Sequence, residues 1–410
     1  MPNNGVEVPL RVAFADIVNP GWTAGAHYYK NLFSALCQLD ENRRPHVVVM
    51  VSPSKQAGGY DTYTDLAAEV VEAPAAPGST FVPRQFQRVK RRLGFHPRDG
   101  RAVESLLMEH SIDALFASWA EFGPFARISQ LGWIHDFQHT HYPELFSAKE
   151  NRARDQLFER MATNCSRVVL SSEDARRDYE RFVPSYAHKA RVLRFVSQVP
   201  PDVYDADPGR MCDEYHLPER FVYLPNQFWV HKGHGLVIEA LAQLNSSHPE
   251  ITVVCTGNPA DSREPLHVGE LLARVSRLGL RDNFVVLGWV PHAHTFHLVR
   301  QSVAVLQPSL FEGWSTTVEE TKSIGKTILL SDIPIHREQA PPSALYFDPT
   351  DAAALAERLM EAYETHGPGP DQALEARARK ALPERTRGYA ETFISIVRDS
   401  LGSHSVDRPG

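Results

Sequence analysis

The sequence has few cysteines and no long apolar run. Among its 410 residues only four are cysteine, at scattered positions without a C-x-x-C pair: Cys37, Cys165, Cys212 and Cys255. A disulfide framework or a structural zinc site is therefore not expected, and the cytoplasm is the simplest compartment for the protein. No segment approaches the ~18 consecutive apolar residues that a membrane-spanning helix needs. If the protein meets a membrane, we expect it to do so from the surface.

The sequence also lacks an excess of positive charge. It has 43 Lys and Arg against 50 Asp and Glu, which gives a formal net charge of −7. A bulk basic surface for nucleic acid is therefore not expected. The hydrophobic share of 42% and the charged share of 23% are ordinary for a globular protein. The length fits two domains of roughly 200 residues each.

What the sequence does have is a regular alternation of short apolar runs and helix-like segments. The predicted strands of the first half are residues 10–18, 46–52, 112–117, 131–135, 167–170 and 191–195. Residues 198–210 contain three prolines and several acidic residues, and we interpret them as a linker. The predicted strands of the second half are residues 221–224, 251–255, 284–287, 303–307, 327–330 and 344–347.

This alternation predicts an α/β protein with two parallel sheets, because strands that alternate with helices need crossover connections. We place an N-terminal Rossmann-like domain at residues 1–200 and a C-terminal one at 201–383. A last helix at 384–402 begins after Pro383, which is a common start signal. That helix either ends the second domain or crosses back to the first.

The most informative motif is FEGWSTTVEE, which follows a predicted strand of the second half. Gly313 permits a sharp turn. Ser315 or Thr316 can cap the helix that starts here, and Thr316 with Glu319 fits a capping box. Such a helix start binds anions, with Glu312 on the loop before it. The alternative is an ordinary capped helix with solvated glutamates.

The motif resembles the E-x7-E motif of retaining glycosyltransferases with the GT-B fold, family 4 in particular. Glu312 and Glu320 would be its two glutamates. The match covers most of the chain and is strongest at residues 221–347. Four other segments resemble parts of the same family, namely the nucleotide-base loop (LGWVP, 287–291), the phosphate-binding loop (NQFWVHKG, 226–233), the first-domain His-Asp strand end (WIHD, 133–136) and the Gly-Gly pair (AGAH, 24–27).

The resemblance implies two Rossmann-like domains facing a cleft that holds the donor's diphosphate. Lys232 would neutralise that diphosphate. Glu312 would contact the donor sugar and stabilise its oxocarbenium-like state, while Glu320 would hold the ribose. His135 would bind a donor-sugar hydroxyl, with Asp136 as its orienting partner. The other implied donor contacts are Gly25, Ala26, Asn226, Gln227, Val290, Gly313, Ser315 and Thr316.

Two positions depart from the family pattern. Members usually carry an arginine five or six residues before the lysine, where this chain has Gln227 and Asn226. An amide donates hydrogen bonds but brings no charge, so either donor binding is weaker or another cation substitutes. Members also often have Gly-Leu-Pro where this chain has Ser315, Thr316 and Thr317.

The resemblance therefore predicts a cytoplasmic, retaining, metal-independent glycosyltransferase. It would move a sugar from a nucleotide-diphosphate sugar to a glycan or lipid-linked glycan, in polysaccharide or O-antigen-type biosynthesis. No cofactor besides the donor and no nucleic acid partner is implied. The alternatives are an impaired GT-B protein that binds carbohydrate or serves as a scaffold, a nucleotide-sugar epimerase, and a phosphorylase, although no pyridoxal site is evident.

Three other patterns could carry function. Two histidine groups, one with Asp136, contain common metal ligands. We do not expect a metal site there, because Tyr142-Pro143 argues against a helix at the first group, and the second group begins a helix after Pro291. Asp205-x-Asp207 lies in the predicted linker and is interpreted as solvated. The histidines are His135, His139 and His141 in the first group, and His292, His294 and His297 in the second.

Residues 84–98 contain six basic residues interleaved with apolar ones. They form either an amphipathic segment for peripheral contact with a membrane, which suits a lipid-linked acceptor, or a solvated basic helix.

Overall fold

The computed structural model describes residues 9–15, 17, 24–51, 63–72, 100–117, 123–125, 127–261 and 263–404. The chain divides into two compact units. The first contains the described residues up to Thr140, Ser147–Phe195 and those from Glu384 onward, and the second contains His141–Phe146 and Val196–Pro383. The sequence-based boundary at residue 200 thus falls inside the second unit. The basic segment 84–98 lies outside the described residues.

The first unit is built on a parallel sheet. Its described strands are β1 (Arg11–Phe14), β2 (His46–Val51), β3 (Glu69–Glu72), β4 (Ala114–Phe116), β5 (Ser129–Ile134), β6 (Arg167–Leu170) and β7 (Ala190–Val192). They pair in the order β3-β2-β1-β4-β5-β6-β7. The helices that begin in this part of the chain are α1 (Ala24–Cys37), α2 (Gly100–Glu109), α3 (Gln138–His141), α4 (Ala148–Asn164) and α5 (Glu173–Phe182).

The second unit repeats this architecture. Its described strands are β8 (Val222–Pro225), β9 (Val253–Thr256), β10 (Phe284–Gly288), β11 (Ala304–Gln307), β12 (Ile328–Ser331) and β13 (Ala344–Phe347). They pair in parallel in the order β10-β9-β8-β11-β12-β13. The helices are α6 (Arg210–Tyr215), α7 (His234–Leu244), α8 (His267–Arg277), α9 (His292–Gln301), α10 (Thr316–Ile324), α11 (Pro334–Gln339) and α12 (Ala352–Thr365).

The predicted α/β class with two parallel sheets is confirmed. Every predicted strand has a counterpart within a few residues, because the central strands are apolar runs buried on both faces, as strands of parallel sheets are. The missed strand is β3, whose sequence is EVVE. It lies at an edge of the described sheet with Val70 half exposed, so its apolar signal is only two residues long.

The predicted linker 198–210 is part of the second unit. It contains the short 3-10 helix Pro201–Tyr204, and Val203 is buried in the core. The guanidinium of Arg300 donates to the carbonyls of Val203 and Ala206. The Tyr204 hydroxyl also donates to the Ser323 carbonyl at 3.1 Å. These isolated contacts anchor the segment but give no periodic sequence signal.

The strand order reverses at one point in each sheet, between β1 and β4 and between β8 and β11. Ligands of open parallel sheets bind beyond the carboxyl ends of the strands at such a point. In the second unit this rule directs attention to the residues that follow β8 and β11.

The predicted start of the last helix is wrong. Helix α13 extends from Gln372 to His404 and contains Pro383 in its interior. The Asp371 carboxylate accepts a hydrogen bond from the Leu374 backbone N–H at 2.9 Å and so caps the true start. A proline inside a helix removes one backbone hydrogen bond, and its ring crowds the carbonyl one turn earlier.

The C-terminal part of α13 packs within the first unit. Phe393 stacks on Phe14 with ring centroids 5.6 Å apart. The Asp399 carboxylate accepts from Arg167 Nε at 2.6 Å and from Arg191 Nε at 2.8 Å. The hydrogen bond from Arg167 lowers the pKa of Asp399 below its ordinary value, and Arg191 acts in the same direction.

We predict that Asp399→Asn destabilises the first unit at neutral pH. Because the pKa of Asp399 is lower in the folded state, its stabilisation is complete above the ordinary carboxyl pKa of about 4 and is lost as pH falls through the folded value. The carboxylate is partly exposed, so we expect about 1 kcal/mol at pH 7, or roughly 2–4 °C in melting temperature. Thermal melts of both proteins across the acid range would measure it.

Glu391→Gln is the matched control for that experiment. Glu391 lies on the same helix and is as exposed as Asp399, but its partner Arg43, at 3.0 Å, is 52% exposed, whereas Arg167 beside Asp399 is only 11% exposed. Such surface pairs contribute little, so its melting temperature should be nearly that of the parent. Equal losses in the two variants, or an Asp399→Asn difference that persists at low pH, would contradict the assignment.

Candidate active site

The candidate site lies at the carboxyl ends of β8 and β11 in the second unit. Two glycines let its loops approach one another. Gly233 has φ +75°, and a Cβ there would lie 2.2 Å from the Pro308 carbonyl oxygen. Gly257 has φ +130°, and a Cβ there would lie 2.3 Å from the Asn226 carbonyl oxygen. Any other residue would push these backbones apart.

Lys232 and Glu312 form an ion pair in this site. Lys232 Nζ donates to Glu312 Oε1 at 2.6 Å, and the two side chains are 12% and 10% exposed. Gln307 Nε2 donates to the same oxygen at 2.7 Å. Within the part of the chain that the structure describes, Glu312 Oε2 has no hydrogen-bond partner. Burial lowers the pKa of His336, which interacts electrostatically with this pair, to about 4, so it is neutral at pH 7.

Helix α10 begins beside this ion pair. Its cap is Ser315, whose Oγ accepts from the Val318 backbone N–H at 3.4 Å. The predicted capping box of Thr316 and Glu319 is wrong. Glu319 is only 2% exposed, and its carboxylate accepts from Gln339 Nε2 at 3.2 Å instead.

The backbone of Ser315 is held by the same glutamine. Ser315 N donates to Gln339 Oε1 at 3.1 Å, and the Ser315 carbonyl accepts from Gln339 Nε2 at 3.0 Å. The Ser315 N–H is therefore already used, whereas the resemblance implied that it binds phosphate. The backbone N–H of Thr316, the first residue of α10, is the remaining candidate for binding phosphate.

Glu320 lies next to the proposed nucleotide-base loop. It is buried, and His292 Nε2 lies 2.8 Å from its Oε1. His292 begins α9 directly after that loop. Sequence reasoning grouped it only with other histidines. Its position after Pro291 gave the helix start, which is confirmed, but nothing in the sequence connects it to Glu320.

Within the base loop, the two neighbouring apolar residues lie in opposite environments. Val290 is buried in a core cluster, so its side chain is unavailable to a ligand and only its backbone could bind one. Trp289 is 72% exposed.

The amides at the family's arginine positions both bind protein groups. Asn226 Nδ2 donates to Gln307 Oε1 at 2.6 Å, and Gln227 Oε1 accepts from the Asn258 backbone N–H at 2.8 Å. Arg263 is a nearby cation, but it pairs with Asp261 at 3.1 Å and stacks over Trp229.

The remaining predicted site residues belong to the first unit. Gly25 and Ala26 lie in the first turn of α1. His135 and Asp136 follow β5, with His135 Nε2 3.4 Å from Asp136 Oδ2. Burial raises the pKa of Asp136, but His135 and a hydrogen bond from Gln138 N offset this and lower it below its ordinary value.

The short helix α3 corrects the expectation of no helix near the first histidine group. His135 precedes this helix and His139 lies within it, so the two do not share a helical face. His139 Nε2 lies 3.1 Å from Asp155 Oδ1. Among the described residues, no three His, Cys, Asp or Glu side chains form a metal-binding group. Asp205 and Asp207 are exposed.

No described helix combines the length and apolar character needed to cross a membrane.

Comparisons with known proteins agree with this architecture. Residues 216–381 match the family model of glycosyl transferases group 1. No curated protein has a significantly similar sequence. HepE from Anabaena, crystallised in complex with UDP and glucose, is 16% identical with a TM-score of 0.61, over 97% of this chain and 99% of its own.

Two synthases are similar in the same way. Sucrose-phosphate synthase from Thermosynechococcus elongatus is 14% identical with a TM-score of 0.60, over 97% and 98% of the two chains. A UDP-forming α,α-trehalose-phosphate synthase from Burkholderia xenovorans is 14% identical with a TM-score of 0.62, over 95% and 99%. The chain therefore has the GT-B fold, and its second unit is similar to glycosyl transferases of group 1.

Proposed function

We propose that this protein is a retaining, metal-independent glycosyltransferase. It moves a sugar from a nucleotide-diphosphate sugar to a glycan or lipid-linked glycan, in polysaccharide or O-antigen-type biosynthesis. The observation that carries the proposal is the Lys232–Glu312 pair beside the start of α10, at the point where the strand order of the second unit reverses. A cation, a carboxylate and a helix N-terminus in one place suit a donor with a diphosphate and a sugar.

The diphosphate is the part of the donor that Lys232 recognises. Lys232 exchanges its partner Glu312 for the phosphate oxygens when the donor binds. The backbone N–H groups at the start of α10, beginning with that of Thr316, add hydrogen bonds to the same anion. Gly313, on the loop before the helix, leaves room for the anion to approach them. The relative crystallised with UDP-glucose supports a nucleotide-diphosphate donor.

The sugar is the part of the donor that Glu312 recognises. As the bond between the anomeric carbon and the phosphate oxygen breaks, positive charge develops on the sugar ring, and a held carboxylate stabilises it. The acceptor hydroxyl bonds to the same face of the anomeric carbon, and its proton passes to the leaving phosphate. The carboxylate pair that a glycosidase needs across the bond is not required.

The nucleoside is held by Glu320 and the base loop. Glu320 accepts from the ribose hydroxyls, next to His292, and the Val290 backbone contacts the base. In the first unit, His135 binds a donor-sugar hydroxyl with Asp136 as its orienting partner, and the start of α1 at Gly25 and Ala26 binds phosphate or acceptor. The enzyme needs no cofactor, and residues 84–98 make its peripheral contact with the cytoplasmic face of the membrane.

We predict opposite effects of the two members of the ion pair on nucleotide-diphosphate binding. Lys232→Ala removes a charged donor worth ~1.5–3 kcal/mol, so affinity should fall roughly ten- to a hundred-fold. Glu312→Gln removes the group that competes for Lys232, so affinity should be unchanged or higher. Its kcat should nevertheless fall on the order of a hundred-fold, since Glu312 acts on the transition state. Calorimetry with UDP, GDP and ADP, and steady-state kinetics, measure both.

Glu357→Gln is the control for these two variants. Glu357 is an exposed glutamate on α12 of the same unit, and its replacement should change neither constant. If Lys232→Ala bound every nucleotide diphosphate like the parent, or Glu312→Gln kept full kcat, the proposed roles would be wrong.

We predict that donor turnover continues in EDTA. Lys232 and the start of α10 neutralise the diphosphate, so no divalent ion is needed there. The assay is hydrolysis of UDP-, GDP-, dTDP- and ADP-sugars without acceptor, with thermal shift to find the nucleotide that stabilises the protein. Loss of turnover in EDTA with recovery on adding magnesium or manganese contradicts the metal-independent site. Absence of both hydrolysis and stabilisation for all donors favours a scaffold protein.

A further inference from the structure

Gln307 is the last residue of β11, and its side chain is 0% exposed. Its amide touches three groups. Nε2 donates to Glu312 Oε1 at 2.7 Å and to Ser315 Oγ at 2.9 Å, while Oε1 accepts from Asn226 Nδ2 at 2.6 Å. Both N–H bonds of the amide are thus used, one on the carboxylate and one on the cap of α10.

Glu312 and Asn226 together determine which way this amide faces. The two ends of a glutamine amide have similar shapes but opposite roles, since one donates and the other accepts. Because Asn226 donates to Oε1 of Gln307, Nε2 must face Glu312. The reverse orientation would bring Oε1 against the Glu312 carboxylate and Nε2 against the Asn226 donor. Asn226 therefore donates to Gln307, and Gln307 donates to Glu312; these form one chain of hydrogen bonds.

This chain of hydrogen bonds matters most when the donor binds. Glu312 Oε1 has two partners among the described residues, Lys232 and Gln307. If Lys232 moves to the diphosphate, Glu312 Oε1 keeps the hydrogen bond from Gln307. It is neutral, so it holds the carboxylate in place without cancelling the charge that acts on the sugar.

We propose that Gln307 is a positioning residue that holds Glu312 in its reactive place after Lys232 has moved to the donor, with Asn226 holding the other end of its amide. This inference rests on the proposed glycosyl transfer. It also assigns Asn226 a role that differs from phosphate binding, although Asn226 stands where the family has its clamp arginine.

The test is Gln307→Met, which keeps the length of the side chain but cannot donate. A carboxylate displaced by about 1 Å costs up to roughly a hundred-fold, so we expect kcat to fall about ten- to a hundred-fold. The Kd for the nucleotide diphosphate should stay within about three-fold, because Lys232 is intact. In the Glu312→Gln background the same change should cost less than about three-fold, since both variants remove one interaction.

Gln301→Met is the matched control. Gln301 is a buried glutamine of the same unit, its Nε2 donates to the Glu219 carbonyl at 3.2 Å, and it makes no hydrogen bond to the site. A purely structural role for Gln307 predicts that the two methionine variants lose similar melting temperature and kcat. It also predicts that the Gln307 effect is independent of Glu312→Gln. Either result overturns the inference.

Asn226→Ala provides a second test, which applies even if Gln307→Met does not fold. Without Asn226 Nδ2 the buried Oε1 of Gln307 loses its partner and the amide is held less firmly, so kcat should fall by roughly ten-fold with little change in nucleotide-diphosphate affinity. Unchanged kcat with ten-fold weaker nucleotide binding would make Asn226 a phosphate ligand and overturn its role here. A parent protein that hydrolyses no donor and binds no nucleotide contradicts the proposed function itself. A fully active Gln307→Met variant contradicts this inference alone.

Discussion

The candidate site depends on a nearly buried ion pair between Lys232 and Glu312. Removing two charges from water costs several kcal/mol for each ion, and their attraction repays it only with good geometry and additional hydrogen bonds. Here the geometry is a 2.6 Å contact, and the additional hydrogen bond comes from Gln307. Replacing the carboxylate beside Lys232 by another anion therefore costs little free energy. The proposed exchange of Glu312 for a diphosphate requires this.

Backbone constraints keep the two partners together. Lys232 ends a short 3-10 helix, and Gly233 turns the chain immediately after it, where a Cβ would collide with the Pro308 carbonyl. Leu310 N donates to the His231 carbonyl at 2.8 Å, so the loop that carries Glu312 is also hydrogen-bonded to the loop that carries Lys232. These contacts join residues some 80 positions apart.

The strands and the strand-end loops could be predicted from the sequence because their signals are local. Buried central strands are apolar runs, and residues at the carboxyl ends of parallel strands converge whatever their distance in sequence. Glu312 and Glu320 were selected because their segment follows a predicted strand, whereas Lys232 and the roles of all three residues came from the resemblance to the glycosyltransferase family. Edge strand β3 was missed because only two of its residues are apolar.

The partners of those residues could not be predicted in the same way. Gln307 precedes the motif and reads as the end of a strand, while Gln339 lies on a different helix from the Ser315 backbone that it holds. The cap of α10 was ambiguous because serine and two threonines are adjacent, and the choice of Ser315 depends on Gln307 and Gln339. The start of α13 was misplaced because Pro383 is a strong local signal, whereas Asp371 caps the helix through a single contact.

The amides at positions 226 and 227, where the resemblance leads one to expect an arginine, connect the ion pair with the hydrogen bonds of Gln307. A guanidinium at position 226 or 227 would be a second cation beside the proposed diphosphate, and it would also compete with Lys232 for Glu312. With amides there, the proposed cationic role falls to Lys232, and Asn226 instead donates to Gln307. In the proposed mechanism, binding of the diphosphate and release of Glu312 are one event, because both depend on the same lysine. The charge on Glu312 would then become available to the sugar only when a diphosphate has taken Lys232 away from it, which would couple activation of the carboxylate to the presence of the donor.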